Sequence, residues 1–290
     1  MPLSNFLTTA ARAAHLARQS IAPGDAQELR AQAARSNATE RRRITNRLRQ
    51  ALEQHGFVLL YQVQLNLKSG LTQGAEATIR LHHRRRGLIL PSHFMPVAEL
   101  SDIVIEIGNW ILQQACEDAS QWTMPFAVSI QISHRQLLTG TLVTQVIKTL
   151  SHTNLAPGQL LLALTEAMLI DDSEDTTFAL KALRGLGVGL VLDNFGTSYT
   201  SFSLLKRLPL TTLKLDRAMI QDLPGDHENV AILRATIETA HALGIRVIAD
   251  GVDTEDQRRL LDNLGCDAIQ GPYLSQPLTF GALNAKLNLT

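Results

Sequence analysis

Residues 188–193 read VGLVLD, 211–215 TTLKL, 245–250 IRVIAD and 266–270 CDAIQ, and the spacing of these four runs decides the fold. Each is a short run of strand length with apolar residues at its centre, and three of the four end on a polar residue. Runs of this kind suit a strand buried on both faces of a parallel sheet. Between them lie stretches with helical periodicity, at 199–207, 226–243 and 254–264. Strand and helix in strict alternation imply parallel strands joined by crossovers.

Working outward, the same alternation predicts strands at 57–65, 72–80, 126–131 and 160–165. Helices are expected at 92–121, 133–152, 172–186 and 278–288. Eight strands in about 230 residues predict a (β/α)₈ barrel of α/β class. The first two strands are separated only by a turn around Lys68-Ser69-Gly70. A parallel crossover needs a dozen or more residues, so this pair must be antiparallel. The barrel therefore has one irregular strand, the first.

Residues 1–56 differ in composition. They carry nine arginines against four acidic residues, a net of +5, which leaves the rest of the electrically neutral chain at −5. Pro23-Gly24 divides this segment into two helical pieces. The second is expected to start near Asn37, with an apolar stripe of only Ile44, Leu48 and Leu52. The expected division is a helical arm or linker over 1–56 and a barrel domain over 57–290. Arg41-Arg42-Arg43 reads as a solvated helix face, and His82-His83-Arg84-Arg85-Arg86 as a solvated turn.

Composition excludes several classes. At 45% hydrophobic and 19% charged, this is an ordinary globular chain. It has no apolar run long enough to span a membrane and no secretory signal pattern at its start. Zero net charge and 4% aromatic content argue against a binder of nucleic-acid polymers. Cys116 and Cys266 lack metal-ligand spacing and read as buried thiols, which fits a cytoplasmic location.

Barrel active sites lie at the C-terminal strand ends. Those ends carry Glu76 and Arg80, Gln131, Glu166, Asp193-Asn194, Lys214 and Asp216, Asp250, and Gln270. Carboxylates suit hard divalent cations, and a lysine with an arginine suits a phosphorylated ligand.

In these residues the chain resembles the EAL family of cyclic-di-GMP phosphodiesterases, across roughly 57–280. The matching strings stand in family order: Phe57 to Gln62, Glu76-Ala77-Thr78-Ile79-Arg80, Pro91 to Glu99, Thr165-Glu166 and Asp193 to Thr197. Leu213 to Arg217, Ala249 to Thr254, and Gln270-Gly271 followed by Pro277 complete the set. The resemblance implies hydrolysis of one phosphodiester bond with two Mg²⁺ or Mn²⁺ ions, held by five carboxylates and one asparagine. Carried over position by position, it assigns metal ligation to Glu76, Asp193 and Asp250. Gln131, Ala163 and Asn194 stand where further ligands belong. Lys214 matches the water-orienting lysine, and Glu166 the glutamate that steadies a mobile loop. Nucleotide contacts are implied for Gln62, Glu76, Arg80, Pro91, Phe94, Asp216, Gln270 and Tyr273.

The departures carry a physical consequence. Five carboxylates fall to three, Ala163 supplies no oxygen, and Asn194 is neutral. Asp250 is shorter than glutamate by ~1.5 Å, against metal–oxygen tolerances of roughly 0.2 Å. Ser198 replaces a second glycine in the loop after Asp193. The expectation is a degenerate EAL domain that binds cyclic-di-GMP without hydrolysing it and signals to a protein partner, with a homodimer allowed. Mg²⁺ or Mn²⁺ would serve only an active form. The rival expectations are a weakly active phosphodiesterase and an interaction module that no longer binds nucleotide.

Overall fold

The structure, a computed structural model, describes residues 39–122, 124, 126–169, 174–197 and 202–287. The first helical piece, the Pro23-Gly24 break, Asn37 and Ser198 fall outside them. Two compact units are distinguished, 58–80 with 104–287 and 39–57 with 81–103.

The larger unit holds the barrel. β1 (Phe57–Asn66) turns at Lys68-Ser69-Gly70 into β2 (Thr72–His83). The turn is closed by Asn66 Oδ1, which accepts from the Ser69 amide at 2.9 Å, while Gly70 adopts φ +68°. From β2 the sheet continues in parallel through β4 (Ala127–Gln131), β5 (Leu160–Thr165) and β6 (Gly189–Phe195). β7 (Thr212–Leu215), β8 (Arg246–Ala249) and β9 (Ala268–Gln270) extend it. β1 pairs antiparallel with β9 and also pairs with β2, which closes eight strands into a barrel. The expected architecture, irregular first strand included, is the one observed.

Apolar residues on both faces of each parallel strand explain the closure. Leu162, Leu164, Leu190, Leu192, Leu213, Leu215 and Val247 are wholly buried between the barrel interior and the surrounding helices. Both cysteines are buried free thiols, as expected. Among the described residues no helix is long and apolar enough to cross a membrane.

Two expected helices are broken. The run 133–152 divides into His134–Leu138 and Leu142–Thr153. Ser133 and Gln136 form a capping box on the first piece, and Gly140 at φ +68° takes a left-handed turn that ends it. The run 92–121 becomes a short turn at Pro91–His93, a helix at Met95–Ala98 and a long helix at Ile103–Ser120. β2 outruns its expected end and takes in His82 and His83, so the solvated turn shortens to 84–86. After it, β3 (Gly87–Ile89) folds back on β2.

In the smaller unit, a helix spans 39–53. Leu48 is buried while Ile44 and Leu52 are half-buried, the narrow stripe the sequence predicts. Phe57 and Phe94 pack with ring centroids 5.9 Å apart.

Candidate functional site

Strand alternation turns Glu76 of β2, Asp193 of β6, Lys214 of β7 and Gln270 of β9 towards one end of the barrel interior, with Asp250 just beyond β8. The chain places these five far apart, yet they form one polar cluster. Its centre is the Lys214 ammonium. Nζ lies 2.6 Å from Glu76 Oε2, 3.2 Å from Asp193 Oδ1 and 3.7 Å from Asp250 Oδ2. Gln270 braces the group by donating from Nε2 to Glu76 Oε2 at 2.6 Å and to Asp250 Oδ1 at 2.9 Å. Gln64, on β1, donates in turn to Gln270 Oε1 at 2.9 Å.

The electrostatics follow from burial. Desolvation alone would lower the Lys214 pKa, but the charges of Glu76, Asp193 and Asp250 reverse it and hold the ammonium well above the usual lysine range. Burial pushes Glu76 up, yet Lys214 and the Gln270 amide outweigh it and leave the carboxyl below its ordinary value. Asp193 goes the other way. Burial, with the neighbouring Glu76 charge, outweighs Lys214 and raises it.

Backbone geometry fixes the two aspartates. Asp193 Oδ1 accepts from the Asn194 amide at 2.8 Å, where Asn194 takes φ +57° and the β6–β7 register shifts. Asp250 Oδ1 accepts from the Gly251 amide at 2.7 Å. Gly251 has φ +75°, and a Cβ there would lie 2.4 Å from Arg217 Cγ.

The other residues singled out in the sequence lie in varied settings. Arg80 is buried, donates Nη1 to its neighbour's carbonyl on Ile79 at 2.9 Å, and pairs with no carboxylate among the described residues. Burial lowers its pKa. Gln62 Nε2 holds the loop after β9 through the carbonyls of Ser275 at 2.9 Å and Gly271 at 3.2 Å. Asp216 caps the turn Arg217–Met219 through the Ala218 amide at 2.7 Å. Tyr273 is exposed and its hydroxyl donates to Glu255, which Arg258 also engages at 2.8 Å. Glu166 opens the turn after β5 with both carboxylate oxygens buried and without a hydrogen-bond partner among the described residues. Pro91, half-buried, and Phe94, buried on Phe57, belong to the smaller unit.

Gln64 went unnamed in the sequence. It shares the alternate face of β1 with the half-buried Val58, Leu60 and Gln62, out of phase with the buried Phe57, Leu59, Tyr61 and Val63, so strand alternation did not mark it as a buried site residue.

The positions that would complete a two-ion site supply little. Ala163 is a buried methyl beside Gln131 in the β4–β5 register, and Gln131 is exposed at its strand end. Among the described residues no three His, Cys, Asp or Glu side chains are disposed to hold a metal. The carboxylates gathered in the cluster are those of Glu76, Asp193 and Asp250.

The EAL domain family matches residues 45–277. The chain belongs to that family. A similar EAL protein is the bifunctional diguanylate cyclase/cyclic di-GMP phosphodiesterase MucR of Pseudomonas aeruginosa, 36% identical over 84% of this chain and 36% of its own length. The chain thus spans about a third of that relative. Among solved structures, the PaMucR phosphodiesterase in complex with c-di-GMP is 35% identical, with a TM-score of 0.79 over 83% of this chain and 99% of that one. The EAL enzyme Bd1971, bound to cAMP and cyclic-di-GMP, is 27% identical with a TM-score of 0.83, covering 94% of this chain and 78% of the other. The EAL fold and a place in cyclic-di-GMP signalling rest on these likenesses.

Proposed function

We propose that this EAL domain is a receptor or regulatory module that binds cyclic-di-GMP without hydrolysing it and passes the bound state to a protein partner. The observation that carries this reading is that Glu76, Asp193 and Asp250 are the three carboxylates gathered about the Lys214 ammonium. One lysine charge already compensates part of the three carboxylates, and the positions that would add ligands hold Ala163 and Asn194. A second divalent ion would enter a site with too few anionic oxygens, and Mg²⁺ in particular tolerates little distortion of its octahedral shell.

Ligand binding is favoured separately. Arg80 is a desolvated cation whose one recorded partner is a neutral carbonyl. A phosphate beside it would receive charge-assisted bonds from the planar guanidinium. Tyr273, exposed on the loop after β9, offers an aromatic face for a guanine base.

The test is a product assay on the full chain with saturating Mg²⁺ and then Mn²⁺, following linear dinucleotide by chromatography. No product above the uncatalysed background is expected. Turnover on the ordinary enzyme scale of about 1–10³ s⁻¹ would overturn the proposal.

A further inference from the structure

At the other end of the barrel, where the parallel strands begin, a hollow of about 220 Å³ opens among Gln64, Gln73, Arg184, Gly187, Thr211 and Arg246. Its lining includes two arginines and no acidic residue. Arg184, at the end of the helix Glu174–Gly185, donates Nη1 to the Val188 carbonyl at 2.8 Å. Arg246 donates Nη2 to Gln73 Oε1. Both partners are neutral, and among the described residues neither arginine forms an ion pair. Two like charges share one recess without a counter-charge, an arrangement that an anion relieves.

The wall is shaped for close approach. Gly187 takes φ +92°, a conformation that L side chains rarely adopt, and a Cβ on Gly189 would come within 2.1 Å of Leu161 Cδ2, so a side chain there would have to displace the leucine. Gly158 faces open space. The volume falls below the roughly 300–1,000 Å³ of sites for drug-sized ligands. It suits a phosphate or a short phosphomonoester and is too small for a dinucleotide.

We infer that this recess is a second binding site, for a small phosphate-class anion gripped by Arg184 and Arg246 on the face opposite the carboxylate cluster. Each guanidinium spends one N–H on its neutral partner and has further donors in a fixed plane, the geometry that engages phosphate oxygens in pairs. If the arginines served only to clasp the chain, the recess would bind nothing.

Calorimetric titration of the full chain with inorganic phosphate, at ionic strength held constant with chloride, tests this. One saturable site is expected. Arg246→Gln should weaken it about 10-fold or more, since a charge-assisted hydrogen bond is lost. Arg246→Lys should fall between the two. Arg246 is the variant of choice because its side chain is exposed and holds only Gln73. An unchanged unfolding midpoint in phosphate-free buffer would show that it folds. Arg184→Gln, which also frees Val188, serves as the second variant and should weaken binding likewise. Titration with glycerol 3-phosphate separates the sources: tighter binding of the ester assigns a phosphorylated small molecule, and tighter binding of phosphate the free ion. No saturable binding tighter than about 10 mM by either probe, or equal affinity in parent and Arg246→Gln, overturns the inference.

Discussion

Lys214 and Glu76, 138 residues apart in sequence, meet at 2.6 Å inside the barrel mouth, and both are almost wholly enclosed. A pair buried this deeply is costly to assemble and costlier to break, because removing one partner strands the other charge away from water. Lys214→Met should therefore destabilise the protein by about 3–5 kcal/mol, read by urea unfolding. A loss under 1 kcal/mol would mean the ammonium is not the centre of the cluster.

The opposite shifts of Glu76 and Asp193 give a pH signature. A lowered folded pKa makes Glu76 stabilising above its unfolded value, and that contribution is lost as pH falls through the folded value. Asp193 is raised, so the folded state holds its proton more tightly than the unfolded chain does. Its effect on stability therefore declines as pH rises from the unfolded value, near 3.9, through the folded one. Asp193→Asn should remove that decline, so the variant's stability relative to the parent should improve from about pH 4 upward. Glu76→Gln should instead flatten the loss on acidification. Identical pH profiles for the two variants would contradict these assignments.

Restoring oxygens should restore metal affinity. Ala163 is buried, so Ala163→Glu places a carboxylate out of water and should lower the melting temperature in EDTA. Mn²⁺ should recover that loss, as any ligand selective for the folded state does. Asn194→Asp added to it should bind Mn²⁺ more tightly than the two single changes sum to, since neighbouring ligands couple. If the double variant shows no Mn²⁺-dependent shift, the barrel mouth is not the remnant of a metal site.

Much of this was legible in the sequence. The alternation of strand-length and helical runs predicted the eight-strand barrel, and the short turn at Lys68-Ser69-Gly70 predicted its irregular first strand. Helix interruptions were not visible, because a left-handed Gly140 and a local cap at Ser133 compete with a continuous apolar pattern. The sequence also indicated which residues stand at strand ends, and the structure brings Glu76, Asp193, Lys214, Asp250 and Gln270 together. It could not indicate direction beyond the last strand residue, where backbone turns decide. Asp216 spends its carboxylate on a turn, and Gln62 spends its amide on a loop. The support of Gln270 by Gln64 depends on β1 lying antiparallel beside β9, a pairing known only once the barrel closes.

That support is itself testable. Gln64→Leu would leave Gln270 Oε1 without its donor in a buried setting, which typically costs about 1–3 kcal/mol. Chemical denaturation should show that loss, and Gln64→Glu should exceed it, because a carboxylate would face the Gln270 oxygen. A neutral Gln64→Leu would mean that water or another donor satisfies Gln270.

Arg80 carries the expected affinity. Arg80→Ala should weaken cyclic-di-GMP binding by about 1.5–3 kcal/mol, since a charge-assisted bond to phosphate is lost. Unchanged affinity on calorimetric titration would place the nucleotide elsewhere.

If Lys214, rather than a pair of divalent ions, balances the carboxylates while nucleotide binds, binding is independent of metal. The most direct measurement is calorimetric titration of cyclic-di-GMP into the full chain, in EDTA and again in excess Mn²⁺. Saturable binding with superimposable isotherms is expected, with intact dinucleotide recovered from both. Binding that appears only with Mn²⁺, or linear product recovered from the Mn²⁺ titration, would contradict it.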